Sequence, residues 1–220
     1  MLKVQHDFDR IALLTPDHDV LGPHEAAVLR EHLPAAGDRA LDVGCGTGVL
    51  ARTLATSFRS VVGIDLSMAM LAAARRQSTQ MRNVQFVAAD VMAYLQSTPS
   101  SFDCITAFAV LHHLDVAAVV PSLVAALRPG GVLLIVDLFT RNRLRFAPVN
   151  AIAWLVSRAR WRLQGNRNSK QLNAAWRDHG ASEQYPFFEE ARRLYAHLLP
   201  GAHVRQHFLW RYSVVWRKPA

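Results

Sequence analysis

Five short apolar runs, rich in β-branched residues, recur along the middle of the chain: ALDV (40–43), SVVGID (60–65), VQFVAA (84–89), FDCITAF (102–108) and GVLLIVD (131–137). Stretches with helical spacing lie between them, at 49–57, 68–80, 91–96 and 116–127. A strand covered by helices on both faces reads as a continuous apolar run rather than as an alternation. The rhythm therefore predicts a parallel sheet of the α/β class. LRPGG (127–131) reads as a helix stop that turns into the fifth strand. Right-handed crossovers then wind the sheet doubly.

The pattern changes toward the end of the chain. After a helix expected over 187–199, HVRQHF (203–208) and YSVVW (212–216) are separated by only a few residues. So short a connection permits only an antiparallel hairpin. The expected architecture is an α/β fold: a doubly wound, mostly parallel seven-stranded sheet with an antiparallel last strand and helices on both faces. Ahead of it, 19–33 is expected to be helical, closed by Pro34 and Gly37. At 220 residues the chain suits one domain. Its expected parts are an N-terminal helical segment (1–37), a core (38–137), a helical insertion or lid (140–185), and the last helix with its hairpin (186–220).

Composition narrows the classes. No run reaches the roughly 18 apolar residues of a membrane span, so a soluble, cytoplasmic protein is expected. Cys45 and Cys104 lie far apart and form no CxxC pair, so reduced thiols are expected, with neither a metal site nor a disulfide framework. The net charge of +8 is unevenly spread: 138–177 holds no acidic residue, yet runs from Arg141, Arg143 and Arg145 through Arg158, Arg160, Arg162 and Arg167 to Lys170 and Arg177. Such a block suits nucleic acid, a membrane surface or an anionic substrate, or is simply a solvated face.

Three glycines, Gly44, Gly46 and Gly48, fall within five positions between the first run and the following helix. Ligands of open α/β sheets bind at the carboxyl ends of the strands. Glycine there frees φ and lets a ligand touch the backbone, while amides at the helix start favour an anionic group. A dinucleotide site places its third glycine where Val49 stands. LDVGCGTG instead resembles the first motif of the class I S-adenosylmethionine-dependent methyltransferases, and the likeness runs over most of 39–137. The resemblance implies S-adenosyl-L-methionine as cofactor and S-adenosyl-L-homocysteine as product. It gives Gly44, Cys45 and Gly46 to the cofactor turn, and Asp42 to the cofactor's ammonium group. Asp65, ending VVGID, would hold the ribose hydroxyls, since a carboxylate accepts two hydrogen bonds from a diol. Leu66 and Met70 would flank the adenine, Asp90 would receive its amino group with Val91 alongside, and Ala107 and Phe108 would approach the methionine end. FDRIALLTPDHD is also similar to a common opening of the family, with Phe8 where a tyrosine is usual.

The implied reaction is in-line attack on an activated methyl group, which leaves the protein to align reactants and exclude water. Where the acceptor must lose a proton, the catalytic candidates follow the fourth and fifth strands: His112, with His113 beside it, and Asp137. The Asn/Asp-Pro-Pro-aromatic motif of family members acting on nucleic-acid bases is absent, so a small-molecule acceptor, apolar or lipid-like, is expected rather than nucleic acid. A helix over 148–163 would gather Ile152, Leu155, Val156, Ala159 and Leu163 on one face and set Trp154 and Trp161 nearly opposite, so it is either sandwiched in the core or presents its tryptophans outward as a lid or a membrane contact. WRDHG (176–180) would close this insertion. Three other readings stay open: an RNA methyltransferase using the arginine-rich segment, a nicotinamide-dependent oxidoreductase, and a non-enzymatic cofactor- or partner-binding protein.

Overall fold

The computed structural model describes residues 2–15, 21–98, 101–140, 170–181 and 183–220, with positions 151, 152, 155, 156 and 158. The strands are β1 (Gly37–Val43), β2 (Phe58–Asp65), β3 (Val84–Ala88), β4 (Phe102–Phe108), β5 (Leu127–Leu138), β6 (His203–Gln206) and β7 (Arg211–Arg217). They form one sheet in the order β3-β2-β1-β4-β5-β7-β6. β1 to β5 run parallel, while β7 is antiparallel to both β5 and β6, so the predicted hairpin closes the sheet as expected.

The helices in chain order are α1 (Leu2–Leu14), α2 (Pro23–His32), α3 (Val49–Leu54), α4 (Met68–Gln77), α5 (Val91–Gln96), α6 (Val116–Ala126), α7 (Lys170–Ala181) and α8 (Phe188–Leu198), with a 3-10 turn at Leu111–His113. Alternate residues of each central strand feed two cores. Leu133 and Ile135 pack on the face holding α5, α6 and α8, whereas Val132 and Leu134 pack on the face holding α2, α3 and α4. Each of these fully buried side chains contributes about 1.5–3 kcal/mol. A third cluster joins Ile11 and Ala12 of α1 to Met70 of α4 and to Leu172 and Ala175 of α7. It sets α1 and α7 across the carboxyl end of the sheet.

Several expectations are corrected. LRPGG does not separate helix from strand. β5 starts at Leu127, pairs there with Phe102, and slips register before Cys104 meets Val132. Gly130 takes φ +76° in that bulge, and Lys218 reaches across to stop α6, donating from Nζ to the carbonyls of Val124 (2.9 Å) and Leu127 (2.7 Å). The helix does stop at this segment, with Leu127 as its C-cap and the Lys218 ammonium on the helix-end carbonyls; what differs is that LRPGG is already part of β5. Gly37 opens β1 rather than closing α2, which ends at His32. WRDHG lies inside α7, because its apolar side packs on α1, and so it does not close a loop. Most of the expected 148–163 helix, with Trp154, Trp161 and most of the arginine-rich block, lies outside the described residues. Of its described positions, Ile152 and Leu155 are exposed. Among the described residues no helix is long and apolar enough to cross a membrane.

Lys218 gives a direct test of the bulge. Replacing it with Met keeps the apolar stem but leaves two helix-end carbonyls without their charged donor, and is expected to lower unfolding free energy by about 1.5–3 kcal/mol. Urea unfolding reads this as a lower midpoint at unchanged slope.

Candidate active site

A cavity of ≈ 1480 Å³ opens at the carboxyl ends of β1, β2, β4 and β5. This is more than a single drug-sized ligand requires, and it fits a nucleoside cofactor together with an acceptor. Its floor is the glycine turn. Gly44, Gly46 and Gly48 have φ of +67°, +50° and +79°. A Cβ on Gly44 would come within 2.5 Å of Val110 Cγ2, and one on Gly48 within 2.7 Å of Phe86 Cζ. At Gly46 a Cβ would meet nothing within 4 Å, so the backbone there faces open space that a ligand can fill.

Asp65 at the end of β2 ties this turn to the next one. Its Oδ2 accepts from the Gly46 N–H (2.9 Å) and its Oδ1 from the Ser67 N–H (2.8 Å). Burial raises its pKa, and the two amides oppose that rise. Leu66 and Met70 follow on the same wall. Asp90 caps α5, with Oδ1 accepting from Met92 N (2.9 Å) and Ala93 N (3.1 Å), and Val91 lies beside it in the lining. Asp42 is nearly inaccessible. Thr106 Oγ1 donates to its Oδ1 (2.9 Å), while Oδ2 has no hydrogen-bond partner. Burial first, and the neighbouring Asp65 charge next, push its pKa up to about 7 against the Thr106 bond. Cys45 is a buried free thiol whose pKa burial pushes up, so it contributes shape rather than a nucleophile.

Of the two residues expected at the methionine end, Phe108 lines the cavity. Ala107 is fully buried in the sheet and does not. The lining continues instead through Ala109, a non-glycine residue at φ +53° that no motif marked.

The histidines stand on the far wall. His112 Nδ1 lies 2.5 Å from Asp137 Oδ1, and its backbone N–H donates to Oδ2 (2.9 Å). Asp137 is fully buried and does not reach the cavity, so it positions His112 rather than meeting a ligand. The bond at Nδ1 leaves Nε2 as the ring nitrogen available to the cavity. His113 packs against Phe8 (ring centroids 5.7 Å apart) and His179 (5.3 Å), and burial with the adjacent His112 lowers its pKa to about 4. Trp176, His179 and Tyr185 complete the wall. They come from the end of the expected insertion: Trp176 and His179 fall within WRDHG, read there only as its close, and Tyr185 carried no motif. Helix α1 adds Val4, Gln5 and Phe8 to the lining, with Phe8 packed on His113, Trp176 and His179. Gln5 Nε2 donates to the Leu66 carbonyl (3.2 Å), and Ser67 Oγ donates to Asp9 Oδ1 (2.5 Å).

Residues 40–131 match the family described as Methyltransferase domain. An uncharacterized methyltransferase of Mycobacterium tuberculosis is 30% identical over 202 residues, which cover 89% of this chain and 95% of the relative. The chain belongs to the class I S-adenosylmethionine-dependent methyltransferases. A ubiquinone biosynthesis O-methyltransferase of Albidiferax ferrireducens is 39% identical over 101 residues, 44% of this methyltransferase and 40% of that one. A phosphoethanolamine N-methyltransferase 2 from Haemonchus contortus, solved with phosphomonomethylethanolamine and S-adenosylhomocysteine, superposes with a TM-score of 0.65 at 17% identity. It covers 97% of this chain and 57% of that one. The site fits the cofactor on its own geometry: Gly46 backs onto open space, Asp65 ends the second strand, and the unpartnered Asp42 oxygen suits an ammonium group.

Asp42 makes stability depend on pH in a definite direction. Between about pH 4 and 7 the unfolded carboxyl ionises while the folded one keeps its proton, so stability falls as pH rises through that window and is flat above it. Asp42→Asn removes this dependence. Urea unfolding at pH 4.5 and 7.5 is expected to show the variant gaining on the parent with rising pH, by at most about 4 kcal/mol. A difference independent of pH would remove Asp42 from this role.

Proposed function

We propose that this methyltransferase acts on a small, apolar or lipid-like acceptor bearing a protic group, with hydroxyl oxygen favoured. The observation that carries the reading is His112, held from behind by Asp137, standing in a cavity wall shared with Phe8, Trp176 and Tyr185. Aromatic side chains of this kind bury a flat or extended apolar body. The partial likeness to a ubiquinone biosynthesis O-methyltransferase supports an oxygen acceptor.

When bound, the cofactor supplies an activated methyl group on a positively charged sulfur. In this proposal Asp42, the Gly44–Gly46 turn, Asp65, Leu66, Met70, Asp90 and Val91 hold it. Phe108 flanks its methionine end, and Ala107 supports that strand from within the sheet. The chain's remaining tasks are to align the acceptor and to draw off its proton. His112 acts on the acceptor's reactive group from Nε2, and Asp137 keeps that nitrogen in the correct tautomer. Helices α1 and α7 keep water out through Phe8, Leu172 and Trp176.

Two substitutions test separate parts of this assignment. His112→Ala is expected to lower turnover by about 10²-fold or more while leaving calorimetric affinity for S-adenosylhomocysteine unchanged. Full turnover on a true acceptor would leave His112 structural. Asp65→Ala is expected to do the opposite, weakening cofactor affinity strongly because the ribose loses its charged acceptor and the glycine turn loses its tether. Near-parental affinity would take the ribose away from Asp65.

A further inference from the structure

The histidine wall holds a donor set that the methyl-transfer reading does not use in full. His112, His113 and Glu183 each bring one ligand atom to within 4.8 Å of the others. We propose that these three residues bind a divalent transition-metal ion of the zinc type.

Three features single out this trio. First, His112 has its Nδ1 engaged by the buried Asp137, so Nε2 carries the lone pair. A carboxylate behind a metal-binding imidazole fixes ring and tautomer in just this way. Second, His113 is buried with neither ring nitrogen hydrogen-bonded. Its Nδ1 lies 3.1 Å from Glu183 Oε2, but without the alignment a hydrogen bond requires. Polar atoms buried without a partner are expensive, and coordination removes that penalty. Third, Glu183 supplies the negative charge, with its Oε1 3.8 Å from His179 Nδ1. Two imidazoles and one carboxylate are the donor set of catalytic zinc sites, which keep a fourth position open. Ligands at about 2.0–2.1 Å around tetrahedral zinc sit about 3.3 Å apart, so modest side-chain rotations close the set. No cysteine takes part, which is why the cysteine spacing gave no hint of it.

His112 and His113 both line the cavity, so the open position faces the acceptor. The inference rests on the methyl-transfer reading for what the ion acts upon. A hydroxyl drawn into the fourth position loses its proton more readily: the O–H bond breaks, the proton passes to solvent water, and the electron pair stays on oxygen as the nucleophile. His112 then acts on the acceptor through the ion.

The test is calorimetric titration of the chelator-treated protein with Zn²⁺ alone, followed by titration with S-adenosylhomocysteine. One saturable zinc site is expected in the parent, weakened more than about 100-fold in Glu183→Gln and His113→Ala and about 10–100-fold in Asp137→Asn. His197→Ala, at an exposed histidine of α8, is expected to change nothing. Retained S-adenosylhomocysteine binding shows that each variant is folded. Zinc affinity equal to the parent in folded Glu183→Gln and His113→Ala overturns the site, as does the lack of a saturable site in the parent. Zinc binding without S-adenosylhomocysteine binding would instead strike at the cofactor assignment and leave the metal site standing.

Discussion

One carboxylate organises the carboxyl end of the sheet. Asp65 accepts from the Gly46 amide with one oxygen and from the Ser67 amide with the other, so the turns after β1 and β2 are fixed relative to each other by a single side chain. Its two oxygens are held in a buried setting that resists ionisation, and charge-assisted bonds to the two amides offset that resistance. Everything above depends on this tie. Ser67 caps α4 and bonds Asp9, so α1 is positioned only because the β2–α4 turn is. The left-handed turn calls for glycine: a Cβ on Gly44 would strike Val110 and one on Gly48 would strike Phe86, while Gly46 faces open space.

The second organising group is Asp137, and it works by the same rule from the other side. It sits at the end of β5, adjacent in the sheet to β4, whose outgoing turn carries His112. Parallel neighbours deliver their carboxyl ends to one edge, so residues 25 positions apart in sequence become partners without any special loop. The fold thus divides the cavity. Strands β1 to β3 end in groups suited to a nucleoside, and strands β4 and β5 end in groups suited to proton handling.

What could be read from the chain beforehand follows from locality. The five buried strands, the glycine turn, Asp65 and Asp90 are each specified by a few consecutive residues, and the closing hairpin by a short connection. Asp42 and Ala107 were legible as positions but not as environments. Which way a strand residue faces, and what it meets there, is decided by its neighbours in the sheet. The acceptor wall was hidden for another reason. His179, Glu183 and Tyr185 carry no local signature; His179 and Glu183 meet His113, and Tyr185 meets His112, because α7 folds back onto α1. Helix α1 itself had left a trace, since Val4, Phe8 and Ile11 share one helical face, but so few apolar positions mark that face only sparsely.

The way α1 is attached has a kinetic consequence. The helix packs on Met70, Leu172 and Ala175, and three side-chain bonds, one from Gln5 and two to Asp9, fasten it over the β2–α4 turn. These contacts are far fewer than those inside the sheet, so α1 can detach by local opening while the seven strands stay intact. For a nucleoside lying between Asp65 and α1, opening of this helix is an exit route that leaves the sheet intact.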